Sequence, residues 1–363
     1  MESSLNTNYT EEELEIAVLI PCKDEELTIA KVVKDFKSVL PQASIYVYDN
    51  CSSDSTKATA IQAGAIVRSE RMPGKGNVVR RMFADIDADV YILVDGDDTY
   101  DVSVAPKMVQ EVIKGCDLVN GVRQAVDEKA SYRKGHRFGN QLLSALVQKV
   151  FARKVSDMLS GYKAMSRRFV KSMPIFSKGF EIETEITVHA MELETTIGEI
   201  ETQYRERPEG SESKLNTFGD GVRILNAITT LVRQGKPLLF FSAVGFIFAL
   251  VAFILAVPVV ITFLQTHKVP RLPTALLSTG LILLSSLSFT VGLILDNVTR
   301  ARKETITLKY LSDQSIVSKL LQSHRSQTLT KEIEQKPSEP EPTDLKPTEL
   351  KSSNPLSAER IIG

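Results

Sequence analysis

Two long stretches without a single charge, Leu238 to Leu264 and Thr274 to Leu295, constrain this chain more than any other feature. Each meets the roughly 20 residues needed to cross hydrocarbon. A soluble domain can bury one such helix in its core. Two in tandem, separated only by 265–273, argue for a hairpin through a bilayer. Pro258 is expected to kink the first span, which membrane helices tolerate. Arg223, Arg233 and Lys236 precede the pair, and Arg300, Arg302 and Lys303 follow it. The link carries only Lys268 and Arg271, with His267. That basic excess puts both outer flanks in the cytoplasm, at a plasma or inner membrane. The N-terminal region then lies where nucleotide-activated substrates are made.

The chain has 363 residues and a net charge of −1, so a general nucleic-acid binder, which needs a basic excess, is excluded. Cys22, Cys51 and Cys116 form no Cys-x-x-Cys pair, which suggests neither a disulfide framework nor a zinc site. His136, His189, His267 and His324 show no ligand spacing. Met1 to Glu15 is a polar, acidic tail without a signal-peptide pattern.

Short apolar runs alternate with amphipathic ones from residue 16 onward. Strands are predicted over Ile16 to Ile20, Ser44 to Tyr48, Ile66-Val67 and Val90 to Val94. Helices are predicted over Glu26 to Leu40, Thr56 to Ala63 and Asn77 to Ile86. In the first of these, Leu27, Val32, Val33, Phe36 and Val39 form the apolar face. This alternation predicts βαβ units and a parallel sheet of the α/β class. Ligands of such sheets sit beyond the carboxyl ends of the strands. Pro21 to Glu25, Asp49-Asn50 and Asp95 to Asp98 all come at strand ends, so they should converge on one crevice. Phe218, Val222, Leu225, Ile228 and Val232 trace an apolar stripe, predicting an amphipathic helix that lies on the membrane or packs on the soluble domain. Another helix is expected along the membrane surface over 306–321. From about Ser326 the composition predicts disorder.

Asp95-Gly96-Asp97-Asp98 gathers three carboxylates at the mouth of a buried strand. Their mutual repulsion costs free energy unless a cation or hydrogen-bond donors compensate. A hard divalent ion bridging them to a diphosphate would do so.

Eight segments, in order, resemble the family-2 glycosyltransferases of the dolichol-phosphate mannosyltransferase, or polyprenyl-phosphate glycosyltransferase, type. Ile20-Pro21-Cys22-Lys23-Asp24-Glu25-Glu26 resembles IPxYNEE, with Asp24 where Asn is usual. Tyr48-Asp49-Asn50-Cys51-Ser52-Ser53-Asp54-Ser55-Thr56 resembles VDDxSxDxT, with Asn50 replacing the second Asp. Gly74-Lys75-Gly76 and Asp95-Gly96-Asp97 resemble GKG and DAD, and Asn120-Gly121-Val122-Arg123 resembles GSR. Asp157 to Ala164 resembles DxxSGYRA, Gly179 to Glu185 resembles GFExE, and Tyr204 to Leu215 resembles YxxRxxGxSKL. The resemblance covers about 16–215. It implies a GT-A domain, Rossmann-like and of the nucleotide-diphospho-sugar transferase kind, followed by an amphipathic interface helix over 216–236. A membrane hairpin is implied over 237–298, then a surface helix over 299–325 and a tail over 326–363.

The activity implied is inverting transfer of a hexose from a nucleoside-diphosphate sugar, UDP- preferred over GDP-, to a polyprenyl phosphate. Mg²⁺ or Mn²⁺ would bind Asp95 and Asp97, with Asp98 a neighbour or helix cap and Thr99 standing where relatives often place Gln. Pro21, Glu25 and Asp49 would hold the nucleoside, and Lys75 the donor's phosphates. Arg123 and Arg137 would hold the acceptor phosphate, with Arg133 a neighbour. Arg207 and Lys214 would clamp the donor's diphosphate or the acceptor's phosphate. Glu181 and Glu183 would contact sugar hydroxyls or serve as helix N-terminal charges. The partners are the sugar donor, the lipid acceptor and the bilayer; self-association of the spans stays open. Two other readings are a processive polysaccharide synthase and a non-catalytic membrane scaffold. The chain has no Trp, whereas such synthases carry a Gln-x-x-Arg-Trp segment.

Overall fold

Strand β1 (Ile16–Cys22) is apolar at nearly every position because both of its faces are covered, as expected in a parallel sheet. The computed structural model describes residues 14–125, 155–179, 181–205, 235–320 and 322. Within them, β2 (Ser44–Asp49), β3 (Ile66–Ser69) and β4 (Val90–Leu93) run parallel to β1. Helices α1 (Ile29–Val39), α2 (Thr56–Gln62) and α3 (Lys75–Asp85) connect them, and α4 (Ala105–Ile113) comes after β4. The sheet continues through β5 (Leu118–Ala125), β6 (Lys163–Ser166) and β7 (Ile197–Tyr204) in the order β3-β2-β1-β4-β6-β5-β7. Between β6 and β7 lie α5 (Arg167–Ser172) and α6 (Ile182–Glu192).

The four predicted strands, β1 to β4, are parallel as expected. β6 runs antiparallel to both β4 and β5, so the sheet is mixed. Strand order reverses about β1, with β2 on one side and β4 on the other. That reversal opens a crevice at the carboxyl ends of these strands.

Alternate residues of β1 serve two cores. Ile16, Val18 and Ile20 pack with Val32, Val33 and Phe36 of α1 and with Met108, Val109 and Val112 of α4. Ala17 and Leu19 pack on the other face with Val78, Val79 and Met82 of α3 and Ile182 and Ile186 of α6. Leu27 is exposed, because α1 begins only at Ile29. The Thr28 hydroxyl instead donates to the Gly96 carbonyl at 2.6 Å and ties this helix end to the acidic loop.

The two uncharged runs form helices α7 (Pro237–Thr266) and α8 (Leu272–Ser312). Both are long and apolar enough to cross a membrane, with mean hydropathy 3.0 and 1.9 over their most apolar stretches. Only 11% of each stretch is buried, whereas the core helix of a soluble domain is mostly covered. Helix α7 passes through Pro258 without ending. Helix α8 spans 41 residues, or about 60 Å at 1.5 Å per residue, twice the thickness of hydrocarbon. Its outer half turns to the globular domain. Arg302 stacks over Phe176, Tyr310 OH donates to Asp117 Oδ2 at 2.7 Å, and the Arg168 guanidinium lies over the Tyr310 ring. Beyond it, Lys319 bonds both Asp89 oxygens at 2.7 and 2.8 Å, while Ile316 and Leu320 enter the first core. Of the helix expected over 306–321, residues 306–312 continue α8, and 316–320 are helical again after a break at 313–315. The span runs on and docks because its apolar and basic side chains find a complementary face. The expected helix over 216–236, apart from 235 and 236, and the tail over 326–363 lie outside the described residues.

His189 of α6 is buried, with Nε2 3.3 Å from Ser172 Oγ. Burial first, and Arg302 second, push its pKa from 6.5 down to about 4. Unfolded chain therefore binds this proton between pH 6.5 and 4 while folded protein does not. Stability should fall as pH drops through that window, by about 3 kcal/mol at roughly 1.4 kcal/mol per unit. Thermal melts from pH 7 to 4 should show this loss, and His189→Gln should flatten it.

Candidate active site

The crevice is built by the loops at the carboxyl ends of β1, β2 and β4. The buried Cys22 thiol reports its charge: burial first, then Glu25, Asp95, Asp49 and Asp97, push its pKa well up. The three strand ends meet at this sulfur: Cys22 lies in register with Asp49, and a Cβ on Gly96 of the acidic loop would meet its Sγ at 2.6 Å. Glu25 is held by its backbone N–H, which donates to Thr56 Oγ1 at 2.8 Å. Asp24 adopts the left-handed backbone (φ 50°) that Asp and Asn tolerate, and its carboxylate receives Ser53 N at 2.7 Å. Asp49 is buried, and its Oδ1 has no hydrogen-bond partner among the described residues.

The three carboxylates of the acidic loop separate. Asp97 is only 3% exposed, and its Oδ1 accepts from the Thr99 hydroxyl at 2.6 Å. Thr99 therefore orients Asp97. Asp98 takes a left-handed backbone (φ 56°) and pairs with Lys31 at 2.6 Å, on the α1 side. Asp95 faces the crevice and packs so closely on Gly161 that a Cβ there would meet Asp95 Oδ2 at 2.3 Å. Any larger residue at 161 would displace that carboxylate.

Lys75, the first residue of α3, bridges Asp95 and Glu183. Burial alone would lower its pKa, but the two carboxylates overcome this and hold it well above the usual lysine value. Burial raises the pKa of Glu183, against the pull of Lys75. Its Oε2 has no hydrogen-bond partner among the described residues. Glu181 instead sits exposed at the start of α6, so only Glu183 of that pair enters the crevice.

At the end of β5 the Arg123 fork is bidentate on Asp157, with Nε to Oδ2 at 2.6 Å and Nη2 to Oδ1 at 2.8 Å. Burial would raise the Asp157 pKa, but Arg123 overrides it and holds the carboxylate below its usual range. The guanidinium also lies 5.4 Å from the Tyr204 ring centre. Fully buried Lys163 donates to Asn120 Oδ1 at 2.7 Å and Thr187 Oγ1 at 3.1 Å. Burial lowers its pKa to about 8, opposed by Asp157 and Glu183. Asn120 Nδ2 donates to the Asp157 carbonyl at 2.7 Å, linking this amine to the Arg123 pair.

The structure thus brings together Pro21, Glu25, Asp49, Lys75, Asp95, Asp97, Arg123 and Glu183. Arg133, Arg137, Arg207 and Lys214 lie outside the described residues. Asp157, Lys163 and Tyr204 join the crevice although sequence reasoning assigns them no role. All three stand in the family-like motifs, but nothing in their spacing marks them as partners of Arg123 and Asn120.

Among the described residues no group of three or more His, Cys, Asp or Glu is arranged to hold a metal. Asp95 and Asp97 nevertheless fit a hard divalent cation that takes one or two protein carboxylates and completes its shell with phosphate oxygens and water. The surplus of carboxylates and the orphaned oxygens of Asp49 and Glu183 are the charge such a cation would offset.

Residues 17–173 match the profile of glycosyl transferase family 2. Glycosyltransferase AglJ of Haloferax volcanii is 33% identical over 234 residues, covering 64% of this chain and 76% of AglJ. Dolichyl-phosphate hexose transferase of the same organism is 27% identical over 230 residues, covering 63% of this chain and 98% of that protein. Protein RfbJ of Shigella flexneri is 58% identical over 123 residues, which is 34% of this chain and 95% of RfbJ. With the mixed sheet, the acidic loop after β4 and two apolar helices behind them, these matches make the chain a GT-A glycosyltransferase that belongs to glycosyl transferase family 2.

Proposed function

We propose that this chain transfers a hexose from a UDP-sugar to a polyprenyl phosphate at a membrane surface, with inversion at the anomeric carbon. The observation that carries the reading is the convergence of Asp49, Asp95, Asp97 and Lys75 in one crevice beside an apolar helix hairpin. A relative whose name specifies dolichyl phosphate as acceptor supports the lipid.

The nucleoside lies along Pro21, Glu25 and Asp49, where the orphaned Asp49 Oδ1 accepts a base N–H. Lys75 meets the diphosphate, since an ammonium between two carboxylates binds anions readily once those carboxylates find another cation. Asp95 and Asp97 hold Mg²⁺ or Mn²⁺, which when bound supplies Lewis-acid neutralisation of the leaving diphosphate. Glu183 faces the sugar's hydroxyls. Arg123, braced by Asp157, is the described cation for the acceptor phosphate; Arg137, Arg207 and Lys214 are assigned to phosphate by their family-like motifs alone. An acceptor phosphate oxygen then forms the new bond to the anomeric carbon as the bond to the diphosphate oxygen breaks. The acceptor is already anionic near pH 7, with a second pKa of about 6, so no general base is required. The site's work is orientation and charge. An α-linked donor gives a β-linked product.

Membrane geometry fits the same reading. Arg302, just past the apolar part of α8, stacks on Phe176, in the loop that also closes over Gly76. Tyr310 and Lys319 reach Asp117 and Asp89, at the amino ends of β5 and β4. Helix α8 therefore passes the crevice end of the sheet first, which turns the crevice toward the bilayer. The basic flanks favour the cytoplasmic side for this domain.

The test is to incubate lipid-embedded protein with short-chain polyprenyl phosphate and a panel of radiolabelled nucleotide sugars. A lipid-linked product with one UDP-sugar is expected. No product with any donor, and no nucleotide binding with Mn²⁺, would favour the scaffold reading.

A further inference from the structure

We propose that Asn50 is the positioning residue for Lys75, acting as a latch on the 70–74 loop; this rests on the reading that Lys75 meets the donor's diphosphate. Asn50 stands just past β2 and is buried, with its backbone N–H donating to the Cys22 carbonyl at 2.8 Å. Its side chain is spent wholly on the loop that leads to α3. Nδ2 donates to the Glu70 carbonyl at 3.0 Å and to the Met72 carbonyl at 2.8 Å. Oδ1 accepts from the Gly74 N–H at 2.7 Å. One amide thus grips three points within five residues of chain.

The far side of the loop is equally fixed. Gly74 has φ +118°, which L side chains rarely adopt, and a Cβ there would meet the Lys178 carbonyl oxygen at 2.1 Å. Gly76 N–H donates to the Lys178 and Gly179 carbonyls, both at 3.1 Å. Lys75 lies between these two anchors, so the latch sets where its ammonium arrives. Only an amide does this. An ionised aspartate has no donor, so at position 50 it would accept from Gly74 but confront two carbonyl oxygens. The departure of this chain from the VDDxS pattern is therefore a change of work at that position.

Four full-length proteins in lipid, wild type, N50D, K75A and the double variant, would be titrated with uridine diphosphate and Mn²⁺ by calorimetry. N50D should weaken binding about tenfold, the size of one or two net hydrogen bonds. Because Asn50 acts through Lys75, the double variant should fall within about twofold of K75A. Trypsin should cut after exposed Arg71 faster in N50D, and at the wild-type rate in K75A. Unchanged affinity and unchanged Arg71 cleavage in folded N50D would overturn the latch, as would full multiplication of the two effects. If N50D does not fold, uncharged and smaller Asn50→Ser carries the same expectations. A wild-type protein that binds no nucleoside diphosphate would instead overturn the proposed function, so the two failures are distinct.

Discussion

Asp97→Ala is expected to reduce hexose transfer about a thousandfold, the scale seen when one preorganised charge-stabilising group is removed from an active site. Asp97 is the most deeply buried carboxylate of the acidic loop. It is nearly inaccessible, and the Thr99 hydroxyl fixes its Oδ1 at 2.6 Å. A buried carboxylate held in one orientation costs desolvation free energy, and a bound cation offsets that cost. The alanine variant should therefore lose Mn²⁺ affinity as well as turnover, which a direct titration reads without any sugar donor. Asp98→Ala is the control. Asp98 points to Lys31, whose side chain is half exposed, and such pairs contribute at most about 1 kcal/mol. It should keep turnover and melt within a few degrees of wild type. Wild-type turnover in the Asp97 variant, measured as lipid-linked product, would show that the acidic loop does not carry the chemistry.

The sequence made the first half of the domain legible and the second half only in fragments. Strands β1, β2 and β4 could be read because parallel strands covered on both faces are continuous apolar runs. β6 could not. Its four residues include Lys163 and Ser166, and their burial is compensated by Asn120, Thr187 and Asp117, supplied from distant parts of the chain. Likewise, Lys75 in its own context looks like an exposed turn lysine. Its burial is decided by Glu183, 108 residues away, and by Asp95. Arg123 was expected to offer its fork to an incoming phosphate. The structure gives two of its N–H groups to Asp157, a contact that no local pattern announces. Periodicity tells which residues are buried, and only the fold tells which charges meet.

Two alanines inserted after Arg300 are expected to cut transfer to a bilayer-embedded acceptor about a hundredfold, the scale of loss when reacting groups are misplaced by an ångström or more. Each added residue advances a helix by about 1.5 Å and turns it by about 100°. Two of them move the outer part of α8 by about 3 Å and swing it past the half-turn. Tyr310 then faces away from Asp117, Lys319 leaves Asp89, and Ile316 and Leu320 leave the core. The crevice is not built from α8, so uridine diphosphate binding with Mn²⁺ should stay within about twofold of wild type. What changes is the height and tilt of the crevice over the lipid headgroups. Short-chain acceptor presented in detergent carries no such constraint, and its turnover should fall far less than that of long-chain acceptor in liposomes. Tyr310→Phe isolates one contact of the dock. Losing its 2.7 Å bond to Asp117 should cost about 1 kcal/mol of stability and leave transfer intact, because Lys319 and the buried apolar pair still hold the helix. Equal losses with both acceptors would mean that α8 supports the fold of the domain; unchanged transfer to long-chain acceptor would mean that its dock does not set the crevice at all.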